Sequence, residues 1–215
     1  MTAADSGLWC ELGAADLAPR PALFLDRDGV IVADTNYLGR AEDVRMIEGV
    51  AAAISRYNAL RIPVVVATNQ SGIARGHYGW DGFRAVQAAI SEALAASGAR
   101  LDGVLACAYH AEGLGPLRIA DHPWRKPNPG MILAAGKRMN LDLSRSRIVG
   151  DKATDLAAAA AAGLAGGTLV SADERERERA RLLASKQFSV ETAANSAAAI
   201  LCVLETGRLL GSGPS

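Results

Sequence analysis

Cysteine is scarce in this chain of 215 residues, which has three, at positions 10, 107 and 202. An odd number of widely separated cysteines argues against a disulfide framework and favours a reducing compartment. Long apolar runs are also lacking, and the first twenty residues have neither the basic nor the apolar region of a signal peptide. The sequence therefore predicts a cytoplasmic protein that does not cross a membrane.

Net charge is lacking too, because 23 basic residues balance 23 acidic ones. This balance excludes the broad basic surface that binding to nucleic acid or to an anionic membrane requires, so we expect neither partner. The chain is 50% hydrophobic, which is enough for the core of one domain. As for partners, we expect a small-molecule substrate and a monomeric protein. The predicted organisation is an N-terminal extension over residues 1–20, a single domain over 21–208 and a flexible tail over 209–215.

Two carboxylates stand two residues apart in Asp26-Arg27-Asp28-Gly29, directly after the apolar residues 22–25. Side chains at i and i+2 of an extended chain share a face, so we expect Asp26 and Asp28 to point together and Arg27 to point away. Crowded carboxylates need a cation or a shared proton. The pattern predicts a charged site, and a simple Asp-Gly turn is the alternative.

Neutral polar residues follow the β-branched run at 64–66, in the order Thr68, Asn69, Gln70, Ser71. Hydroxyl and amide groups beside the free backbone N–H groups of a strand end suit phosphate oxygens. The pattern therefore indicates a phosphate site. The alternative is a polar loop in which Ser71 caps a short helix.

Two later segments also carry charge. Arg125 and Lys126 precede two prolines, and a lysine held by stiff neighbours can act as a point charge on phosphate. Asp151 follows the apolar residues 148–149, with Asp155 four residues further on. The alternative for Lys126 is a solvated surface lysine, and the alternative for Asp151 is a helix N-cap.

These four segments, in this order, resemble the haloacid dehalogenase superfamily of phosphatases. Within it they look like the D-glycero-D-manno-heptose-1,7-bisphosphate phosphatase group, which is closely related to histidinol-phosphate phosphatases. The resemblance covers roughly residues 21–170. Its motifs are Asp26-Arg27-Asp28-Gly29, Thr68-Asn69-Gln70-Ser71-Gly72-Ile73-Ala74-Arg75-Gly76, Arg125-Lys126-Pro127-Asn128-Pro129-Gly130 and Gly150-Asp151-Lys152.

The resemblance implies a Mg²⁺-dependent phosphomonoesterase for a small sugar phosphate, with Asp26 as nucleophile and Asp28 as acid and base. It implies that Thr68 and Lys126 stabilise the phosphoryl oxygens. The implied metal ligands are the carboxylates of Asp26 and Asp151 and the backbone carbonyl of Asp28. The expected substrate contacts are Asp34, Tyr37, Asn69, Gln70, Ser71, Arg125 and Lys152.

Two other functions stay open. A small open site would also admit histidinol phosphate, and a non-catalytic phosphate-binding regulatory protein could keep the same scaffold. Intact Asp26, Asp28, Lys126 and Asp151 argue against the second, because a pure binder gains nothing from an acid for the leaving group.

One segment departs from the group, many of whose members bind zinc through Cys-x-His and a later Cys-x-Cys. Here Tyr109 and Trp124 occupy two of those four positions. A structural zinc normally takes four N or S ligands, so we expect no zinc. Cys107, His110 and His122 could form only an incomplete set.

Strand and helix patterns alternate along the chain, which predicts an α/β fold: a Rossmann-like parallel sheet with helices on both faces. We expect strands at 22–25, 64–68, 103–108, 147–149, 167–170 and 188–190. We expect helices at 48–60, 81–97, 130–139, 154–163, 173–179 and 192–208. The gaps between motifs leave no room for a separate cap domain, so residues 34–38 and 109–124 should form the rim of an open site.

Overall fold

The computed structural model describes residues 6–15 and 17–205. Its strands form a seven-stranded sheet in the order β1-β4-β3-β2-β5-β6-β7. The strands are β1 Leu8–Leu12, β2 Leu23–Leu25, β3 Val64–Asn69, β4 Gly103–Cys107, β5 Arg147–Gly150, β6 Gly166–Leu169 and β7 Ser189–Thr192.

Strands β2 to β7 pair in parallel, and β1 pairs antiparallel with β4. The central strand β2 lies between β3 and β5, in register with Leu25 opposite Val66 and Val149. Its three residues are fully buried, as expected of a parallel strand covered on both faces. This pairing brings the carboxyl ends of β2, β3 and β5 to one edge of the sheet.

Helices cover both faces of the sheet and create two apolar cores. One core contains residues of α1, α3 and α7, and the other contains residues of α4, α5 and α6. The helices are α1 Val50–Ala59, α2 Ser71–Ala74, α3 Trp80–Ala95, α4 Gly130–Met139, α5 Ala153–Ala161, α6 Glu174–Arg181 and α7 Ser196–Glu205. This arrangement confirms the predicted α/β fold.

The predicted elements from 22 to 190 are present, with ends that differ by a few residues, and α4 has the predicted bounds. The terminal helix begins at Ser196 rather than at 192, because residues 189–192 form β7. Residues 206–215, which include the expected tail, lie outside the described residues. No described helix is long and apolar enough to span a membrane.

The N-terminal segment differs from the expected unconstrained extension, because Leu8–Leu12 is an edge strand of the sheet. Trp9 on this strand packs on Trp80 and Phe83 of α3, with ring centroids 5.9 and 5.4 Å away. The strand extends the sheet and helps to cover one core.

The connections between strands contain no folded cap over residues 17–205. Helix α1 and the loop before it join β2 to β3, and α2 and α3 join β3 to β4. A loop with one short 3₁₀ turn, Gly115–Leu117, leads from β4 to α4. The carboxyl edge of the sheet is therefore bordered by loops.

Candidate active site

The first motif lies at the end of β2, where the backbone N–H of Asp26 donates to the carbonyl of Val149 (3.0 Å). The chain then turns at Gly29, which has φ +79°, in the left-handed region. A Cβ atom at Gly29 would lie 2.7 Å from a carboxylate oxygen of Asp151. Conformation and space thus both favour glycine here, and the turn packs directly on the end of β5.

Asp26, Asp151 and Asp155 form an acidic cluster, with one oxygen of each within 4.8 Å of the others. Among the described residues, no other group of three His, Cys, Asp or Glu side chains converges this closely. Burial, then Asp26 and Asp155, raise the pKa of Asp151 to about 7. One oxygen of Asp151 is buried without a hydrogen-bond partner, as expected of a ligand position for a hard cation.

Lys126 lies within this cluster, and its ammonium group has three acceptors. They are the carbonyl oxygen of Ala67 (2.7 Å), a carboxylate oxygen of Asp26 (3.0 Å) and one of Asp155 (2.7 Å). Burial opposes the charge on Lys126, yet the two carboxylates outweigh it and raise the pKa of Lys126. The lysine thus remains protonated and fixes the position of Asp26.

The expectation that Arg27 points away from the two aspartates is wrong. Its guanidinium group is buried and donates from Nε and Nη2 to the carboxylate of Asp28, at 3.0 to 3.3 Å. The alternation of an extended strand does not apply here, because β2 ends at Leu25 and the chain is already turning. Asp28 is therefore held by its own neighbour.

The second motif carries a side-chain network rather than a row of free polar groups. Gln70 donates from Nε2 to Asp28 (2.9 Å) and to the hydroxyl of Thr68 (2.9 Å), and both Gln70 and Thr68 are buried. Asn69 forms a reciprocal pair with the backbone of Lys126, at 3.0 and 3.1 Å. These two amides connect the second motif to the first and third motifs.

A cavity of about 380 Å³ opens above these groups. All seven residues predicted to bind substrate line this cavity, and Asp26, Asp28 and Lys126 also line it. Thr68 and Asp151 do not line it, although both contact residues that do. Its further lining residues are Asn36, Leu38, Gly72, Tyr78, Thr154 and Asp155.

Two cations lie at the rim. Lys152 Nζ is 3.8 Å from a carboxylate oxygen of Asp34 and 3.8 Å from one of Asp151, and its side chain is about half exposed. Arg125 donates to the carbonyl oxygen of Tyr109 (2.9 Å). Both side chains can reach an anionic group that enters the cavity.

Asp155 and Tyr78 bond to side chains of the site but are not assigned to it from the sequence. Asp155 was noticed only as an acid four residues after Asp151, although that spacing is the signal that could have identified it. Tyr78, which donates to Gln70 Oε1 (2.6 Å), follows a Gly-rich turn and gave no recognisable signal.

The segment that departs from the zinc-binding pattern has its own contacts. The ring of His122 stacks on Tyr109 at 4.2 Å, and its Nδ1 accepts the backbone N–H of Trp124 and lies 4.0 Å from Cys107 Sγ. His110 instead contacts Arg75, at 3.3 Å. The expectation of no zinc stays a prediction, which metal analysis of the purified protein would test.

Comparisons with known proteins identify the family of this chain. A family model described as "HAD-hyrolase-like" matches residues 123–195. The D-glycero-beta-D-manno-heptose-1,7-bisphosphate 7-phosphatase of Mesorhizobium japonicum is 52% identical over 171 residues, which are 79% of this chain and 79% of that protein.

Two solved structures have the same fold. One, from Mesorhizobium loti and described as a candidate HAD-like phosphatase, is 44% identical with a TM-score of 0.85, covering 99% of this chain and 98% of that one. The other is the D,D-heptose 1,7-bisphosphate phosphatase of B. bronchiseptica complexed with magnesium and phosphate, 30% identical with a TM-score of 0.74, covering 86% and 99%. This chain belongs to the heptose-1,7-bisphosphate phosphatase family of the haloacid dehalogenase superfamily.

Proposed function

We propose that this protein is a Mg²⁺-dependent phosphomonoesterase that removes the 7-phosphate of D-glycero-D-manno-heptose 1,7-bisphosphate. The observation that carries the proposal is the position of Asp26, held by Lys126 at the base of an open cavity and next to a second, partly buried acid, Asp151. The family relationship supports the substrate class.

Asp26 and Asp151 are the side chains best suited to hold Mg²⁺, together with the backbone carbonyl of Asp28. Asp151 has a buried oxygen with no partner, whereas both oxygens of Asp155 are used, by Lys126 and by the backbone N–H of Lys152 (3.0 Å). A bound Mg²⁺ would offset the negative charge of the carboxylates and of the phosphoryl group.

Asp26 acts as the nucleophile. Its Oδ1 accepts the backbone N–H of Arg27 (2.8 Å) and the ammonium of Lys126, and no described residue donates to its Oδ2. The carboxylate attacks phosphorus, the bond from phosphorus to the sugar oxygen breaks, and an aspartyl-phosphate forms. Lys126 and the hydroxyl of Thr68 stabilise the charge on the phosphoryl oxygens.

Asp28 acts first as an acid and then as a base. It gives its proton to the departing sugar oxygen, and then takes a proton from the water that attacks phosphorus and releases inorganic phosphate. Each cycle thus restores Asp26 as a carboxylate and Asp28 as a protonated acid. Arg125 and Lys152, which line the cavity, bind the phosphate that is not transferred, and Asp34 and Tyr37 bind the sugar hydroxyls.

The experiment is a steady-state assay of phosphate release with and without Mg²⁺, using the heptose 1,7-bisphosphate and histidinol phosphate as separate substrates. The wild-type protein should need Mg²⁺ and have the higher kcat/KM for the heptose substrate. Asp26→Asn should reduce kcat by at least about 10³-fold, since removal of a nucleophile leaves only residual catalysis.

Asp43→Asn is the matched control, because Asp43 lies in the 3₁₀ turn Ala41–Asp43 and its side chain is about half exposed. It should keep wild-type activity. Undiminished turnover by Asp26→Asn would disprove the catalytic assignment. A higher kcat/KM for histidinol phosphate would overturn the assignment of the substrate.

A further inference from the structure

The side-chain amide of Gln70 uses its full hydrogen-bonding capacity within the protein. Nε2 donates to Asp28 and to Thr68, and Oε1 accepts from Arg27 Nη2 (2.9 Å) and from the hydroxyl of Tyr78 (2.6 Å). A primary amide has two N–H donors and two strong acceptor positions, so none is left for substrate. Gln70 lines the cavity, but its amide is committed to these four residues.

The partners of Gln70 also determine which way its amide faces. Arg27 can only donate, so a flipped amide would place its own N–H donors against the guanidinium group. Tyr78 reinforces this choice. Burial raises the pKa of Tyr78 to about 12, so its hydroxyl stays protonated at neutral pH and donates to Oε1.

Tyr78 is itself held firmly by its surroundings. Its ring packs against Gly39 of the rim and Gly72 of the second motif, and a Cβ atom at Gly39 would lie 2.6 Å from the Tyr78 side chain. The absence of side chains at these two positions creates the slot for the ring. The position of the hydroxyl is therefore set by the backbone on both sides.

We propose that Gln70 and Tyr78 are positioning residues for the acid–base group: Tyr78 and Arg27 orient the Gln70 amide, which holds the Asp28 carboxylate and the Thr68 hydroxyl. This inference rests on the proposed function, because it assigns Asp28 the role of acid and base. It replaces the expected role of Gln70 as a substrate contact.

The hydrogen bonds of Gln70 favour the proposed roles of both Thr68 and Asp28. Because the Thr68 oxygen accepts from Gln70, its own hydrogen remains available for a phosphoryl oxygen. Asp28 is held by Arg27 on one side and by Gln70 on the other, which limits its rotation before proton transfer. Accurate placement of an acid matters, because general acid catalysis contributes about 10²- to 10⁴-fold.

Two substrates with different leaving groups test this role. A sugar alkoxide needs a proton to depart, whereas p-nitrophenolate is a weak base that leaves without one. We compare kcat/KM, which covers the steps up to departure of the leaving group and excludes the later hydrolysis. Tyr78→Phe should reduce kcat/KM for the heptose bisphosphate about 10-fold more than for p-nitrophenyl phosphate, as expected for one lost hydrogen bond in the network.

Gln70→Met should show the same bias more strongly, because it removes all four hydrogen bonds with little change in volume. Gln87→Met is the matched control, since Gln87 is a buried glutamine on α3 whose amide has no hydrogen-bond partner among the described residues. The control should affect both substrates equally. Equal losses for both substrates in Tyr78→Phe and Gln70→Met would overturn the proposal.

A double-mutant cycle separates positioning from direct contact with the sugar. If Tyr78 acts through Asp28, Tyr78→Phe should change kcat/KM for the heptose bisphosphate by less than about 2-fold when Asp28→Asn is already present. A full effect in that background would mean that Tyr78 contacts the substrate, and the proposal would be wrong.

A crystal structure of Tyr78→Phe tests the network independently of any activity. We expect the Gln70 amide to move from its wild-type position and the Asp28 carboxylate to shift with it. Unchanged positions of both side chains would refute the positioning role. A wild-type protein inactive on both substrates would reject the proposed function, while this structural comparison would still decide the network.

Discussion

Lys126 Nζ lies 2.7 Å from a carboxylate oxygen of Asp155, and each side chain is only 2% exposed. The same ammonium group contacts Asp26 at 3.0 Å, so one buried cation is shared by two buried acids. Its third acceptor, the carbonyl of Ala67, belongs to β3. Lys126 therefore connects the end of β2, strand β3 and the first turn of α5, as well as supplying charge to the site.

Removing this cation should weaken the whole fold. Lys126→Met leaves Asp26 and Asp155 buried without their counter-ion, and such a loss typically costs about 3–5 kcal/mol. We expect the free energy of unfolding, measured by urea denaturation, to fall by that amount, and activity to be lost. Lys137→Met, at an exposed position of α4, is the control and should remain within about 0.5 kcal/mol of the wild type. Wild-type stability of Lys126→Met would show that the cluster does not need the cation.

Stability without metal should depend on pH through Asp151. Its pKa is raised to about 7 by burial and by Asp26 and Asp155, so the folded protein keeps a proton that the unfolded chain has already released. The stability from this group is present at low pH and is lost as the pH rises through about 7. In EDTA, the Tm of the wild type should therefore fall between about pH 5 and pH 8 more steeply than that of Asp151→Asn. Parallel pH profiles would contradict this.

Magnesium should restore the thermal stability that the metal-free protein loses as the pH rises. A carboxylate must be deprotonated to bind a metal, so affinity should increase as Asp151 ionises. We expect Mg²⁺ to raise the Tm more at about pH 8 than at about pH 6, by thermal denaturation at one fixed Mg²⁺ concentration. An equal increase at both pH values would remove Asp151 from the set of ligands.

Arg75 joins the two segments of the rim, and its loss should affect substrate binding more than stability. It donates to the hydroxyl of Tyr37 (2.6 Å) and pairs with Glu112 (2.7 Å). Partly exposed pairs contribute about 1 kcal/mol or less, so Arg75→Met should stay folded and raise KM for the heptose bisphosphate several-fold.

Arg84→Met provides the control for Arg75→Met, since Arg84 also pairs with an acid, Asp81 (2.7 Å), and also lies over an aromatic ring, that of Trp9. It should leave KM unchanged. If the two variants raise KM equally, the contact between Arg75 and Tyr37 does not shape the site.

The N-terminal strand should contribute measurable stability. Trp9 packs on two aromatic rings of α3 but is only partly buried, so Trp9→Ala should cost about 2 kcal/mol, below the value for a fully buried aromatic residue. Leu17→Ala, at a fully exposed position, should cost nothing measurable in the same urea titration. Equal stabilities of the two variants would show that β1 does not anchor the sheet.

The four motifs could be predicted because each is short and local. Three of them are an apolar strand followed at once by its polar residues, and the other is a pair of cations before two prolines. Strand β1 could not be predicted in this way. It pairs with β4, almost a hundred residues away, and its five residues carry no local signal of that pairing. Long-range pairing depends on the assembled sheet, which local patterns do not encode.

The directions of the side chains within the motifs are harder to predict from the sequence than the positions of the motifs. The position of Arg27 was wrongly predicted because the period of a strand was extended past its last residue, Leu25. The role of Gln70 was equally hidden, since a glutamine in a polar loop suggests contact with substrate. Only the positions of Arg27 and Tyr78 show that its amide is already fully bonded.

The most direct test of the central claim is the stereochemical course at phosphorus. It is measured with a substrate whose transferred thiophosphoryl group is chiral through sulfur and two oxygen isotopes, and which is hydrolysed in water enriched in the third oxygen isotope. An in-line displacement inverts phosphorus, so attack by Asp26 followed by attack of water should give net retention. Net inversion would show that water attacks the substrate directly, and Asp26 would then not be the nucleophile.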